Sequence, residues 1–183
     1  MENFNKNNIK AIIGLGNPGQ KYYKNRHNIG FRIIDELASK LNASWQSSDN
    51  MEYANVCLQE EQAFGCQQIY LIKPQTFMNS SGSVISFLSK KGIKPDQILV
   101  IHDELEKKFG SIRIKFGGSA KGHNGLRSII GVMGMDFWRL CFGIDRPENK
   151  DEVSNYVLSN FYLKEEKELE LLILQAVDLI LQT

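Results

Sequence analysis

The sequence predicts a single-domain three-layer α/β/α sandwich around a twisted, mostly parallel mixed sheet. Three observations carry this prediction. Runs with strand character alternate with runs whose apolar residues recur at helical spacing. Ile98-Leu99-Val100-Ile101 is a continuous apolar run rich in β-branched residues, the pattern of a strand buried on both faces. At 183 residues the chain is one domain by length, and long enough to bury most of its apolar surface. Residues 1–8 read as a polar N-terminal tail and residues 9–183 as the domain, without repeats or an interdomain linker.

The elements follow in order. Ile9 to Ile13 is the first strand, closed by the turn Gly14-Leu15-Gly16-Asn17-Pro18-Gly19. Gly30, Ile33, Ile34, Leu37, Ala38 and Leu41 share one helical face, with Asn28 placed as N-cap. Strand-like runs at Ala54 to Gln59 and Gln68 to Lys73 flank a turn from Glu60 to Cys66. Thr76 to Gly82 leads into a helix with Val84, Ile85 and Leu88 inward, stopped by Gly92 and Pro95. The buried run at Ile98 then delivers His102-Asp103-Glu104 at its carboxyl end. Ile112 to Phe116 alternates apolar and basic residues, so one face is wet and positive. A glycine loop, Gly117 to Gly122, reaches His123-Asn124-Gly125, where Asn124 is placed as cap of a helix ended by Gly134. Trp138 to Ile144 is the last strand and Pro147 to Asp151 a loop. The final helix, Lys164 to Leu181, has an apolar stripe that Leu171, Leu174 and Leu181 make unusually wide.

Composition excludes several classes. Net charge is +1, which points to no partner by itself. The three cysteines, Cys57, Cys66 and Cys141, are odd in number and form no C-x-x-C pair, which argues for free thiols in a reducing compartment. The start has no apolar segment for secretion, and no run approaches the length of a membrane span. A soluble cytoplasmic protein is expected.

The glycine turn satisfies G-x-G-x-x-G, the fingerprint of a dinucleotide-binding unit and hence of a nucleotide-dependent oxidoreductase. The context is wrong for it. In that motif the helix begins within the turn and aims its free N–H groups at a pyrophosphate. Here Pro18 occupies the motif and Gln20 to Arg26 have no apolar helical face. The acid at the right distance, Asp35, lies inside the helical pattern. The competing reading puts Asn17 and His27 at the mouth of a catalytic cleft.

Among the three histidines, His27 lies in a polar loop beside Arg26 and Asn28, suiting an accessible imidazole that titrates near neutrality. His102 ends a buried strand and reads as packed and hydrogen-bonded; for His123 both substrate contact and local structure stand open. The histidines share no i, i+4 spacing, so no metal is expected, and no cofactor. Asp103 is either the partner of a histidine from another loop or a solvated turn carboxylate. Asn17, Asn79 and Asn124 each sit where capping or turn geometry explains them singly. Taken with His27 and Asp103, they make a cleft with one base, many amides and no Ser or Cys nucleophile, suited to direct attack by water on an acyl carbonyl. From Lys107 to Arg127 there are six basic residues, among them Arg113, Lys115 and Lys121, and no acidic one. That asymmetry in a neutral chain raises nucleic acid or another polyanion as a partner.

These pieces resemble the bacterial-type peptidyl-tRNA hydrolases. The likeness rests on Gly14 to Gly19, on Tyr22 with Arg26-His27-Asn28-x-Gly30, and on Lys73-Pro74-x-Thr76-Phe77-Met78-Asn79-x-Ser81-Gly82. It continues through His102-Asp103-Glu104-Leu105, Lys115-x-Gly117-Gly118 and Gly122-His123-Asn124-Gly125-Leu126. The resemblance implies a monomeric hydrolase that cleaves the ester between a peptide and the 3′ ribose of tRNA. It implies His27 as general base, Asp103 as its orienting partner, and Asn17, Asn79 and Asn124 holding substrate and water, with Tyr22 and Met78 lining the cleft and His123 nearby. The basic residues Arg113, Lys115, Lys121 and Arg127 would take acceptor-stem phosphates beside the 3′ CCA end. A non-catalytic RNA-binding module on the same fold is the alternative, against which the retained His27, Asp103 and Asn17 speak. The chain departs from the family at Cys141, where a basic residue usually helps clamp the 5′ phosphate with the counterpart of Lys115; Arg139, two positions earlier on the same strand face, is the expected substitute. Asp145 and Lys121 each replace a customary glycine.

Overall fold

A computed structural model describes the chain over residues 4–61 and 65–182. Its strands are β1 (Ala11–Gly14), β2 (Gln46–Ser48), β3 (Met51–Glu61), β4 (Gly65–Pro74), β5 (Ile98–Glu104), β6 (Ile112–Phe116) and β7 (Trp138–Gly143). The helices are α1 (Ile29–Lys40), α2 (Ile85–Lys90), α3 (Asn124–Met133), α4 (Val153–Val157) and α5 (Leu163–Gln182). The strands form one sheet in the order β2-β3-β4-β1-β5-β7-β6. The central strands β4, β1, β5 and β7 run parallel, while β3 on β4, β2 on β3 and β6 on β7 are antiparallel.

Both faces of the sheet are covered. On one, Ile12, Leu99, Ile101 and Leu140 pack with Ile33 and Leu37 of α1 and Leu169, Ile173 and Val177 of α5. On the other, Ile13, Ile72 and Val100 pack with Ile85 and Leu88 of α2 and Leu126 and Ile129 of α3. Every residue of β5 is buried, as its unbroken apolar start demands. Each fully buried Ile or Leu contributes roughly 1.5–3 kcal/mol, so these two layers are the principal source of stability.

The glycine turn serves helix packing. A Cβ on Gly14 would stand 2.4 Å from Gly30 O, and one on Gly30 would stand 2.5 Å from Ile101 O. Only hydrogens fit between the start of α1 and the ends of β1 and β5, which draws the segment before α1 over the strand ends. The chain leaves β1 for β4 on one side and later enters β5 on the other, so the crevice of this doubly wound sheet opens at that switch.

Several local expectations are corrected. Asn28 does not cap α1 with its side chain; its amide bonds both Asn17 N and Asn17 O, each at 2.9 Å. His123, not Asn124, caps α3, because His123 keeps extended backbone angles while Asn124 is already helical. The short exposed strand β2 and the helix α4 were not anticipated. The turn expected over Glu60 to Cys66 lies in part outside the described residues; β3 runs through Glu61 and β4 begins at Gly65. Within the polar N-terminal tail, residues 4–8 contact the domain: Phe4 meets Trp138 edge-on at 5.2 Å, and Gln67 Nε2 bonds Lys6 O and Asn7 O. Cys141 is free, as expected, and lies buried, whereas Cys57 is disulfide-bonded, against the expectation of free thiols. On α5, Leu171 and Leu174 face outward, so the inward stripe is narrower than the sequence suggests. Among the described residues, no helix is long and apolar enough to cross a membrane.

Candidate active site

The ends of β1 and β5, a 3-10 turn at Met78–Val84, the glycine loop before α3 and the segment leading into α4 enclose a cleft of about 590 Å3. Asn17, Tyr22, His27, Met78, Asn79, Asp103, His123 and Asn124 all line it, as do Lys115, Lys121 and Arg139. Residues read from six separate stretches of sequence therefore converge. Arg113 and Arg127 lie outside this lining, Arg127 donating to Asn124 Oδ1 at 3.0 Å.

Asp103 is the hub. Its Oδ1 lies 2.8 Å from His27 Nδ1 and 2.9 Å from His123 Nε2. The helix cap settles which proton sits where. His123 Nδ1 accepts from the N–H groups of Gly125 and Leu126, at 3.1 and 3.3 Å, so it carries no hydrogen. Its Nε2 then holds the proton and donates to Asp103. His27 donates to the same oxygen from Nδ1, which leaves the lone pair on its Nε2. This imidazole is more enclosed than the open loop expected, at 8% exposed, yet it lines the cleft.

The electrostatics follow from this sharing. Burial alone would lower the pKa of His27, but the Asp103 charge and hydrogen bond outweigh it and leave it raised above 6.5. Burial pushes Asp103 up, yet the two histidines hold its carboxyl well below the usual carboxylate range. His102 is the packed residue expected: burial and the neighbouring His123 bring it down to about 3, so it stays neutral. It bonds Asp103 O through Nδ1 at 2.7 Å, while Cys141 Sγ lies 3.4 Å from its Nε2.

The amides are aimed too. Met78 N donates to Asn17 Oδ1 at 2.8 Å, so the oxygen end of that amide is engaged and Nδ2 is the end left for a ligand. Asn79 and Asn124 are exposed to the cleft. Tyr22 and Phe77 meet edge-on at 6.2 Å between ring centres beside them. Ser119 and Ser154 also line the cleft, but neither bonds His27 among the described residues.

The cationic side differs from expectation at Arg139. That guanidinium is buried, bonded to Ser119 O and Gly118 O and set over the Phe137 ring at 4.5 Å. It braces the glycine loop instead of standing free for a phosphate. Lys115 and Lys121 instead approach one buried carboxylate, Glu104, at 3.8 and 3.7 Å. Lys121 and Asp145, the two positions where the resemblance implies glycine, both have positive φ, 45° and 60°. The side-chain nitrogens and carboxylate of His27, Asp103 and His123 lie within 4.8 Å of one another, near enough to hold an ion. Each nitrogen, however, stands at hydrogen-bond distance from one oxygen, the geometry of shared protons. Glu104, Phe77 and the bracing role of Asn28 have no place in the sequence reading although all three residues stand inside its motif blocks, since residue type alone does not separate them from surface or cap residues.

Fold and site define an α/β enzyme whose cleft presents an imidazole–carboxylate pair among amide and lysine side chains. Comparison narrows the class. The family profile described as peptidyl-tRNA hydrolase matches residues 11–183. A peptidyl-tRNA hydrolase of Hydrogenobaculum sp. is 46% identical over 159 residues (86% of this chain and 81% of the relative). One from Rickettsia peacockii is 42% identical over 170 residues, 92% and 89% of the two chains. The crystal structure of peptidyl-tRNA hydrolase from Acinetobacter baumannii is similar with a TM-score of 0.85 and 36% identity, covering 98% of this chain and 92% of that one. A point mutant of that enzyme gives a TM-score of 0.88 at 34% identity, over 98% of this chain and 90% of that one. The chain belongs to the peptidyl-tRNA hydrolase family.

Proposed function

We propose that this chain releases tRNA from peptidyl-tRNA by hydrolysing the ester at the 3′ ribose, with His27 activating the attacking water. One observation carries the reading. Asp103 Oδ1 takes a proton-bearing nitrogen from each of two histidines, and the second ring is fixed by its helix cap. His27 Nε2 is thereby the nitrogen with a lone pair beside the amides of the cleft. Water held by His27 loses a proton as it attacks the ester carbonyl, a role worth roughly 10²–10⁴ in rate. Asp103 stabilises the imidazolium that forms. Asn17 Nδ2 and the amides of Asn79 and Asn124 bind the ester and its developing oxyanion, each good donor supplying about 3 kcal/mol. Tyr22, Met78 and Phe77 offer apolar surface to the peptide and terminal nucleotide. Lys115 and Lys121 face acceptor-stem phosphates, with Arg113 and Arg127 further out, and the enzyme works as a monomer.

The test is turnover of an N-acetylated aminoacyl-tRNA by wild type and His27→Ala. The variant is expected to bind tRNA and to lose release of free tRNA by at least about 10²-fold. A folded variant with near-normal turnover refutes the base assignment, and a wild type that binds without turnover leaves only an RNA-binding module.

A further inference from the structure

The residue before the base is a fully buried cation that the chemistry above does not use. Arg26 has 0% exposure, in a polar and buried 3-10 turn formed by Arg26–Asn28. Its guanidinium bonds Ser159 Oγ at 2.9 Å, Asn160 O, and Glu165 Oε2 at 2.6 Å. It also lies 4.4 Å from the ring centre of Tyr156 and 4.6 Å from that of Tyr162, with Phe161 at 5.2 Å. The backbone repeats the attachment: Arg26 N donates to Ser159 O at 2.9 Å, and Asn25 forms a β-bridge with Asn160. Taking a guanidinium out of water is costly, and only an ion pair with further hydrogen bonds and ring faces repays it. A lysine would supply the charge but not the planar fork that reaches three acceptors.

The two segments joined in this way border the cleft. On one side Arg26 is followed directly by His27. On the other, Ser159 follows α4 and its flanks, where Lys150, Val153, Ser154, Val157 and Leu158 line the cavity. We infer that Arg26 is a positioning residue: by locking the His27 segment to the 156–165 segment, it holds the imidazole on Asp103 and fixes its distance from the opposite wall. The titratable groups that face the guanidinium and the His27 ring are few. Glu165, Tyr156 and Tyr162 surround the guanidinium, and Asp103 and His123 surround the His27 imidazole.

This inference rests on His27 being the base, and the experiment separates the two. Arg26→Lys is compared with wild type for thermal midpoint, kcat, KM, the pH profile of kcat/KM, and the NMR titration of the His27 ring. Misplacing a reacting group by a fraction of an ångström costs about 10- to 100-fold, so kcat is expected to fall by that factor with KM little changed. The acid limb and the ring titration are expected to move together to lower pH as the Asp103 contact loosens. A lower midpoint with wild-type kcat, limb and ring titration overturns the inference, because a merely structural residue changes only the folded fraction. Should Arg26→Lys fail to fold, Glu165→Gln loosens the same guanidinium from a partly exposed position; it is expected to act in the same direction more weakly, and wild-type values there overturn the inference equally. Turnover persisting in His27→Ala removes the base reading alone, since the ring titration in Arg26→Lys still reports its position.

Discussion

Replacing Asp103 by Asn isolates charge from shape. Both imidazoles donate to one carboxylate oxygen, at 2.8 and 2.9 Å, so an amide oxygen in that place accepts the same two hydrogen bonds. The tautomer of His27 survives, because its Nδ1 still faces an acceptor. What disappears is one negative charge beside the ring. Unit charges about 4 Å apart interact by about 4 kcal/mol at an effective dielectric of 20. If half of the imidazolium charge has developed when the ester is attacked, about 2 kcal/mol is lost, and the full charge sets an upper bound of about 4; these correspond to roughly 30-fold and 10³-fold in rate. The pH profile moves the other way. Asp103 is what keeps the His27 pKa above 6.5 against its burial, so the variant's pKa falls below 6.5. The base is then free at lower pH, and the acid limb of kcat/KM shifts toward acid while the plateau drops. The assay is release of free tRNA from N-acetylated aminoacyl-tRNA between about pH 5 and pH 8, with circular dichroism to confirm folding. A limb that stays in place or moves up, or a plateau within about threefold of wild type, refutes the reasoning.

Two further changes test neighbouring features. His123→Asn keeps an oxygen that can cap α3 but removes the donor to Asp103; the carboxylate then acts on His27 alone, and the acid limb is expected to move up with the thermal midpoint nearly unchanged. Lys121→Gly and Asp145→Gly each relieve a side chain held at positive φ, so calorimetry is expected to show each variant more stable by about 1 kcal/mol. Only Lys121→Gly is expected to flatten the salt dependence of tRNA binding, by about one unit of slope; equal slopes in the two variants would remove Lys121 from the RNA path.

The sheet was legible because its strands announce themselves. Ile98 to Ile101 has no polar position, and all of β5 is buried; Ile112 to Phe116 alternates, and β6 is the partly covered edge beside β7. The glycine turn was legible by what it lacks, an immediate α-helix, for only a 3-10 turn at Gln20–Tyr22 follows it, and the structure spends Gly14 and Gly30 on close packing. Strand β2 was not legible: three polar, exposed residues have no period to detect, and they pair only because β3 offers an edge. The caps were misread for a related reason. Asn28 and Asn124 have the right side chains for capping, but a cap is chosen by backbone angles. Those angles leave His123 extended and use Asn28 to pair with Asn17.

The site divides along the same line. Residue types and loop positions brought His27, Asp103 and the asparagines to one cleft without any knowledge of distance. They did not reveal that one oxygen serves two rings, since His27 and Asp103 are 76 positions apart and His123 a further 20. Nor did they reveal which cations are free. Alternation along β7 assigns Arg139 and Cys141 to one face, and that much holds, but it says nothing of the glycine loop folding over that face and taking the guanidinium for its own carbonyls. The consequence is physical. A cation already bonded to backbone oxygens and stacked on a ring must give up those partners before it can meet a phosphate. Lysines resting near a carboxylate at 3.7 and 3.8 Å give up much less. On the proposed function, recognition of the tRNA end is therefore expected to fall to Lys115 and Lys121, the latter carried on backbone at a φ of 45°.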